Sequence, residues 1–397
     1  MRVLLGVVLV TGLATASDPG GPPPYQAGLL RWTAAGGGLA VWRRTGAALD
    51  PSGAIVLDLG RAEAGADPVP ASGYSGHDFY NGGHFLVGES VSPETPAPFA
   101  FSQAIASWNA SAPEGAWTET LLRARVAGRW TRWYSLGVWG AGRDVVERHS
   151  VDHQDDALGT VDTDTLLLRS EADAVQARVR LFSATADAVP RLDGLAIALS
   201  TRPRKPRALR PGDPSLWGRT LDVPQCSQMV YPDGGEVWCS PTSVSMALKF
   251  WRGDRAACEA QVKATVAGVF DWRYDGHGNW PFNTAYAHSQ GYEAYVARFT
   301  SLAQAEPWIA AGVPVVMSYA WKPGELDGAP VPRSGGHLVL LVGFDAAGNP
   351  VINDPAAASD AEVRRTYRRN QVERLWLEHS GGAVYLMYPP GTKIPSS

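Results

Sequence analysis

The sequence predicts a multidomain protein: an amino-terminal antiparallel β-sandwich or jelly-roll-like domain, then a carboxy-terminal α+β domain. Three observations carry this. The 397 residues, 45% hydrophobic and 19% charged, exceed one average domain. Up to about residue 200, apolar residues alternate with polar ones at period 2 between turns rich in Gly, Pro, Asn and Asp. From Arg219 onward, helical spacing comes first and short apolar strands second.

The opening MRVLLGVVLVTGLATAS has one Arg, an apolar run from Val3 to Leu13, and Ala14-Thr15-Ala16 in the small-x-small pattern of a cleavage site. It predicts an export signal over 1–16 removed near Ala16. The run is shorter than the roughly 20 residues of a membrane span, and no other segment is apolar enough. A secreted or extracytoplasmic protein without a transmembrane segment is expected.

In the 25–200 domain, Leu122, Ala124 and Val126 alternate with Arg123 and Arg125, and Val175, Ala177, Val179 and Leu181 alternate with Gln176, Arg178 and Arg180. GLAIALS at 194–200 closes the series. Residues 201–218 read as a linker: five cations and four prolines between 201 and 214 predict an extended, solvated chain. Over 219–390, SPTSVSMALKFW places Val244, Ala247, Leu248 and Trp251 on one helix, and NWPFNTAYAHSQG and SLAQAEPWIAAG predict two more, each ended by Gly. Strands follow at 313–321, 337–345 and 350–354, with GAVYLMY a fourth.

Three cysteines cannot all pair within one chain. Cys226 and Cys258 either bond to each other or remain buried thiols; both outcomes leave Cys239 available. Ser240-Pro241 fits a first helical turn, so Cys239 sits at the positive end of a helix dipole, where a thiolate is favoured. His337 opens a strand, and Asn353 and Asp354 end the next. The AAGN turn between those strands makes them antiparallel, so His337 neighbours Asn353 or Asp354. Thiol, base and orienting group are the parts of nucleophilic acyl transfer, and Gln228 adds an amide N–H for an oxyanion.

VPQCSQ, WCSPTSVSM, GGHLVLLVGFD and VINDP, in this order over about 219–390, resemble the bacteriocin-processing peptidase family, which cleaves double-glycine leader peptides. They are closer still to its exported papain-fold relatives, the peptidase C39-like domains. The resemblance implies a papain-like cysteine peptidase domain with Gln228 in the oxyanion hole, Cys239 as nucleophile, His337 as general base then acid, and Asp354 as orienting carboxylate, with Asn353 the alternative. The family's Cys-Gly-Pro is Cys-Ser-Pro here. The first half resembles the region that precedes such domains in other exported bacterial proteins.

A net charge of -4 and pI near 6.1 give no general attraction to nucleic acid. His149 and His153 in HSVDHQDD lack the Glu of HExxH and read as a solvated loop, so no metal or cofactor is expected. Asn109-Ala110-Ser111 is a chance sequon. Trp272, Trp280 and Trp321 are candidates for a substrate cleft, whereas Trp108, Trp117, Trp130, Trp133 and Trp139 read as sandwich core rather than a sugar-binding face. The expected function is hydrolysis of a peptide or related amide bond in a peptide or protein substrate, including one attached to the cell envelope. Its rivals are acyl transfer on the same fold and a non-catalytic module that binds envelope glycan or peptide.

Overall fold

Alternation is where it was expected: Leu122, Ala124 and Val126 are buried, with Arg123 and Arg125 partly exposed between them. The computed structural model describes residues 24–140, 142, 145–204, 206 and 209–395. The segment 1–16, read from the sequence as an export signal, lies outside the described residues, as do Lys205 and Arg207 of the linker.

Every strand pairing in the amino-terminal half is antiparallel. Where alternation pointed to two facing sheets, hydrogen bonding joins 13 strands into one. The cause is strand length. Thr165–Ser183, 19 residues long, pairs with Thr95–Ser111 through its first part and then with Ala116–Val126 and His84–Val91. A strand that changes neighbours midway carries the ladder from one layer to the next. Trp108, Trp117 and Trp139 are fully buried core residues, as the core reading expects. Trp130 and Trp133 are only half-buried, each 4.7 Å beneath the Arg123 guanidinium.

The carboxy-terminal half is built on a seven-stranded antiparallel sheet. Its main path runs Glu293–Arg298, Ala383–Tyr388, Val315–Trp321, Ser334–Phe344, Pro350–Asn353, Arg364–Thr366. Helices cover both faces. Val316, Leu338, Leu340 and Tyr385 pack with α1 (Cys239–Arg252), α2 (Glu259–Val269) and α3 (Trp280–Ser289). Val315, Met317, Val339 and Leu341 pack with α4 (Glu306–Ala310) and α5 (Arg369–Ser380). The period of 2 thus divides each strand between two helical layers. Helices α2 and α5 were not anticipated, although Val372, Leu375 and Trp376 have helical spacing and all face the core.

The halves share a core. Phe282 of α3 sits among Trp139 at 5.4 Å and Trp108 at 6.1 Å. Gly137 admits it: a Cβ there would lie 2.9 Å from the Phe282 ring, and the backbone φ of +145° is one side chains rarely adopt. Polar contacts frame this core, including Val296 N–H to Ser107 Oγ at 3.0 Å and Arg298 to Gln103 Oε1 at 2.8 Å. The end of the linker is also fastened, contrary to the solvated reading. Buried Glu306 accepts hydrogen bonds from Asp213 N–H at 2.7 Å, Trp217 Nε1 at 2.8 Å and Arg369 at 2.6 Å. A buried carboxylate requires such partners, and this one draws two of its three from the linker.

Candidate active site

Cys239 is the first residue of α1, so its backbone N–H has no partner within the helix. Residues 240–249 are all buried; Ser245 Oγ donates to Pro241 O at 2.7 Å, and Ser240 Oγ meets Tyr385 Oη at 3.1 Å. Ser243 Oγ donates to the carbonyl of Leu338 at 3.1 Å, which sets the helix in register with the strand Ser334–Phe344, of which His337 is the fourth residue rather than the first. A φ of 63° at Gly253 ends the helix.

His337 is buried beside the Cys239 thiol, and each group shifts the other's proton affinity. Its Nε2 lies 2.7 Å from Asp354 Oδ1, which leaves Nδ1 for the sulfur. Asp354 is fully buried and accepts two further hydrogen bonds: from Ala356 N–H to Oδ1 at 3.0 Å and from Tyr367 Oη to Oδ2 at 2.7 Å. Trp321 closes one side, its ring edge-on to His337 at 5.5 Å.

Electrostatics follow from this packing. Burial alone would depress His337, but the Asp354 charge and hydrogen bond and the Cys239 contact outweigh it and lift the imidazole to about 10. Burial would raise the Cys239 thiol, yet the hydrogen bond and charge of His337, with the amides of Leu338 and Ser240, bring it below its ordinary value. Burial would raise Asp354 as well, and His337 and Tyr367 hold it low. Both shifts favour the thiolate–imidazolium form of the pair over the neutral form.

Of the two orienting candidates, the structure brings Asp354 to His337. Asn353 is turned the other way, its Nδ2 donating to Pro224 O at 3.1 Å and its Oδ1 accepting from Arg364 at 3.1 Å. Adjacent residues at a strand end point to opposite sides, so only one can serve. Gln228 is buried, and its backbone N–H donates to Pro355 O at 2.8 Å, tying its loop to the Asp354 loop. Its Nε2 donates one hydrogen to Gly235 O at 2.8 Å and keeps a second.

Trp272 and Trp280 are engaged at the domain interface. Trp272 stacks on His77 at 3.7 Å and donates to Glu147 O at 3.3 Å. Trp280 opens α3, its N–H held by Asp164 of the amino-terminal domain at 2.7 Å. His149 corrects the solvated-loop reading: it is fully buried, with ring nitrogens 2.9 Å from Ser150 O and 2.7 Å from Phe79 O. Cys226 and Cys258 form a disulfide, and Cys239 is free. Tyr367 and Asp164 were not anticipated; each acts through a contact distant in sequence, and their surroundings in RRTYRRN and VDTDT carry no motif.

A thiol, an imidazole and a carboxylate linked in that order on an α+β fold are the groups of a cysteine peptidase. The family comparisons agree. Residues 31–200 match the family described as Peptidase C39 N-terminal domain, and residues 220–384 match the Peptidase_C39 like family. The two halves are thus similar, in order, to a C39 peptidase N-terminal domain and to the C39-like peptidase family. A solved structure of a candidate C39-like peptidase from Bacillus anthracis is similar at 18% identity and a TM-score of 0.30, covering 42% of this chain and 96% of its own. No curated protein matches.

Proposed function

We propose that the protein is an exported cysteine hydrolase that cleaves a peptide or related amide bond through a thioester at Cys239. The observation that carries this is the buried His337 held between the Cys239 thiol and Asp354. The thiolate attacks the substrate carbonyl carbon, and the oxyanion takes hydrogen bonds from the Cys239 N–H and the second N–H of Gln228. His337 gives its proton to the leaving amine, and the C–N bond breaks. Water then attacks the thioester with neutral His337 as base, which releases the acid product, ionised in solvent, and restores the thiolate–imidazolium pair. Asp354 keeps the ring in place and balances its charge throughout.

The 1–16 segment supports export, and the Cys226–Cys258 disulfide fits an oxidising compartment. The test is limiting alkylation. The protein is treated with substoichiometric iodoacetamide near pH 6.5, the label is located by peptide mass spectrometry, and the reaction is repeated with His337→Ala. Label concentrated on Cys239 and lost in the variant is expected; label that ignores His337 would remove the mechanism.

A further inference from the structure

Large apolar side chains that remain in solvent are unevenly placed on this protein. Of seven among the described residues, four lie on the segments around Cys239: Met229, Val230, Val237 and Tyr274, exposed by 43%, 46%, 60% and 48%. Single exposed apolar residues are ordinary, but a concentration of them marks a binding surface.

The chain path brings them together. Met229 and Val230 follow Gln228, and Val237 stands two residues before the nucleophile. The bond from Gln228 Nε2 to Gly235 O at 2.8 Å draws the ends of this loop side by side. Gly235 makes that approach possible, since a Cβ there would lie 2.0 Å from Gln228 O. Further bonds stiffen the loop: Gly235 N–H to Tyr231 O at 3.0 Å and Val237 N–H to Gly234 O at 3.1 Å. Trp238 adds the fourth member. Its ring lies 5.7 Å from Tyr231 and 6.2 Å from His277, so it joins this loop to the one carrying Tyr274. Tyr274 stands three residues before His277 on the loop that Trp238 touches.

Charge on the same loops is acidic: Asp233, Glu236 and Asp275 are exposed, and Lys263 is matched by Glu259 at 2.9 Å and Asp233 at 3.8 Å. The patch is also small. Four side chains do not approach the ~800 Å² per partner of a stable protein interface. Two residues of chain separate Val237 from Cys239, at most about 7 Å even if fully extended, which is the reach of two residues of a bound peptide.

Resting on the reading of Cys239 as nucleophile, we infer that Met229, Val230, Val237 and Tyr274 bind an apolar side chain of a peptide substrate beside the bond that is cut. Acidic side chains there are rejected by the surrounding carboxylates.

The full chain is incubated with an equimolar library of decapeptides, and cleaved bonds are mapped by mass spectrometry. Leu, Ile, Val, Met and Phe are expected to be enriched within one residue of the cut, with Asp and Glu depleted. Val237→Asp should lower kcat/KM on the best apolar peptide about 10-fold or more, and Met229→Asp should act in the same direction. Each rate is divided by that variant's iodoacetamide rate at Cys239, so changes in thiol reactivity cancel. Val189→Asp, at an exposed site on the other domain, should leave the preference unchanged. Equal cleavage beside apolar and acidic residues, or a preference untouched by both rim variants, overturns the inference. So does failure to cleave any peptide by a protein whose Cys239 alkylates selectively. Unselective alkylation removes the nucleophile reading itself, and this inference with it.

Discussion

The phenol of Tyr367 donates a 2.7 Å hydrogen bond to Asp354 Oδ2, the oxygen that His337 does not use. The carboxylate is thus held from both sides, and its freedom to rotate away from the imidazole is removed. Tyr367 is a positioning residue in this arrangement: it acts on the imidazole only through Asp354. Ring orientation at His337 then depends on Asp354, Tyr367 and the edge of Trp321 together.

Tyr367→Phe keeps the ring and deletes the donor. An unsatisfied buried carboxylate oxygen costs about 1–3 kcal/mol, so the melting temperature should fall. The more specific readout is the Cys239 alkylation profile. Loss of the Tyr367 bond frees Asp354 to turn from the imidazole, which weakens its support of the His337 imidazolium, and the thiolate should form at higher pH. A stability loss with an unchanged alkylation profile would make Tyr367 a packing residue alone.

Asp354 and Asn353 should separate cleanly. Asp354→Asn keeps the shape but removes the charge that raises His337, and loss of an orienting carboxylate of this kind costs about 10⁴-fold in kcat. Asn353→Ala removes the donor to Pro224 O and leaves the Arg364 guanidinium only its bond to Val223 O. It should lower stability while kcat/KM per folded molecule stays within about threefold. Equal loss of activity in both variants would show that the assignment by geometry is wrong.

The pH dependence follows from the same shifts. Cys239 is held below its ordinary 9.0, and His337 is lifted from 6.5 to about 10. The two titrate as a pair, so kcat/KM should rise on the acid side as the thiolate forms, stay level through neutral pH and fall as pH passes about 10. For stability the sign is fixed by a raised folded value: the contribution of His337 is complete below about pH 6.5 and is lost as pH rises through about 10. Asp354, held low, contributes above its unfolded range and loses that contribution as pH falls through its folded value. Denaturation of wild type and His337→Ala from pH 5 to 10.5 checks this; a stability difference that does not shrink toward pH 10 contradicts it.

The site was legible where its geometry is local. A helix start at Ser240-Pro241 fixes Cys239, and one short turn fixes His337 beside residues 353 and 354, so two pieces of backbone regularity place three side chains. Choosing between Asn353 and Asp354 needed the direction of each side chain at a strand end, which alternation alone does not give when the strand's last pair is uncertain. Tyr367 reaches Asp354 from beyond a loop, and Asp164 reaches Trp280 from another domain; neither contact leaves a periodic trace. The joining of all amino-terminal strands into one sheet was hidden for a related reason: alternation reports which face is buried, whereas pairing depends on which distant strand lies alongside.

The Cys226–Cys258 disulfide closes a segment with a sequence separation of 32, and that segment contains Gln228, the 228–238 loop and α1. Restricting such a loop in the unfolded chain is worth about 2–4 kcal/mol. Cys226→Ala with Cys258→Ala should therefore lower the melting temperature and loosen the loop that presents Gln228. Native mass spectrometry and calorimetry before and after reduction test it; an unchanged melting temperature on reduction would show that core packing alone holds the segment.

Asp164 links the domains and gives the sharpest linkage test. Its side chain accepts the Trp280 N–H at 2.7 Å and the Thr165 hydroxyl at 2.9 Å, so a residue of one domain caps a helix of the other. Burial nevertheless dominates and lifts the carboxyl from 3.8 to about 6, against the lowering effect of those hydrogen bonds. The sign is opposite to that of Asp354. The native state holds the Asp164 proton more tightly than the unfolded chain, so this group's contribution to stability falls as pH rises from about 4 to about 6. Asp164→Asn keeps an acceptor for Trp280 and cannot ionise. Near pH 4, where the wild-type carboxyl is protonated, the two proteins should melt at similar temperatures; by pH 7 the variant should be the more stable. Calorimetry at pH 4, 5, 6 and 7 measures the difference directly. Parallel curves would mean that Asp164 ionises in the interface without penalty, and that the cap rather than burial governs how this contact joins the two domains.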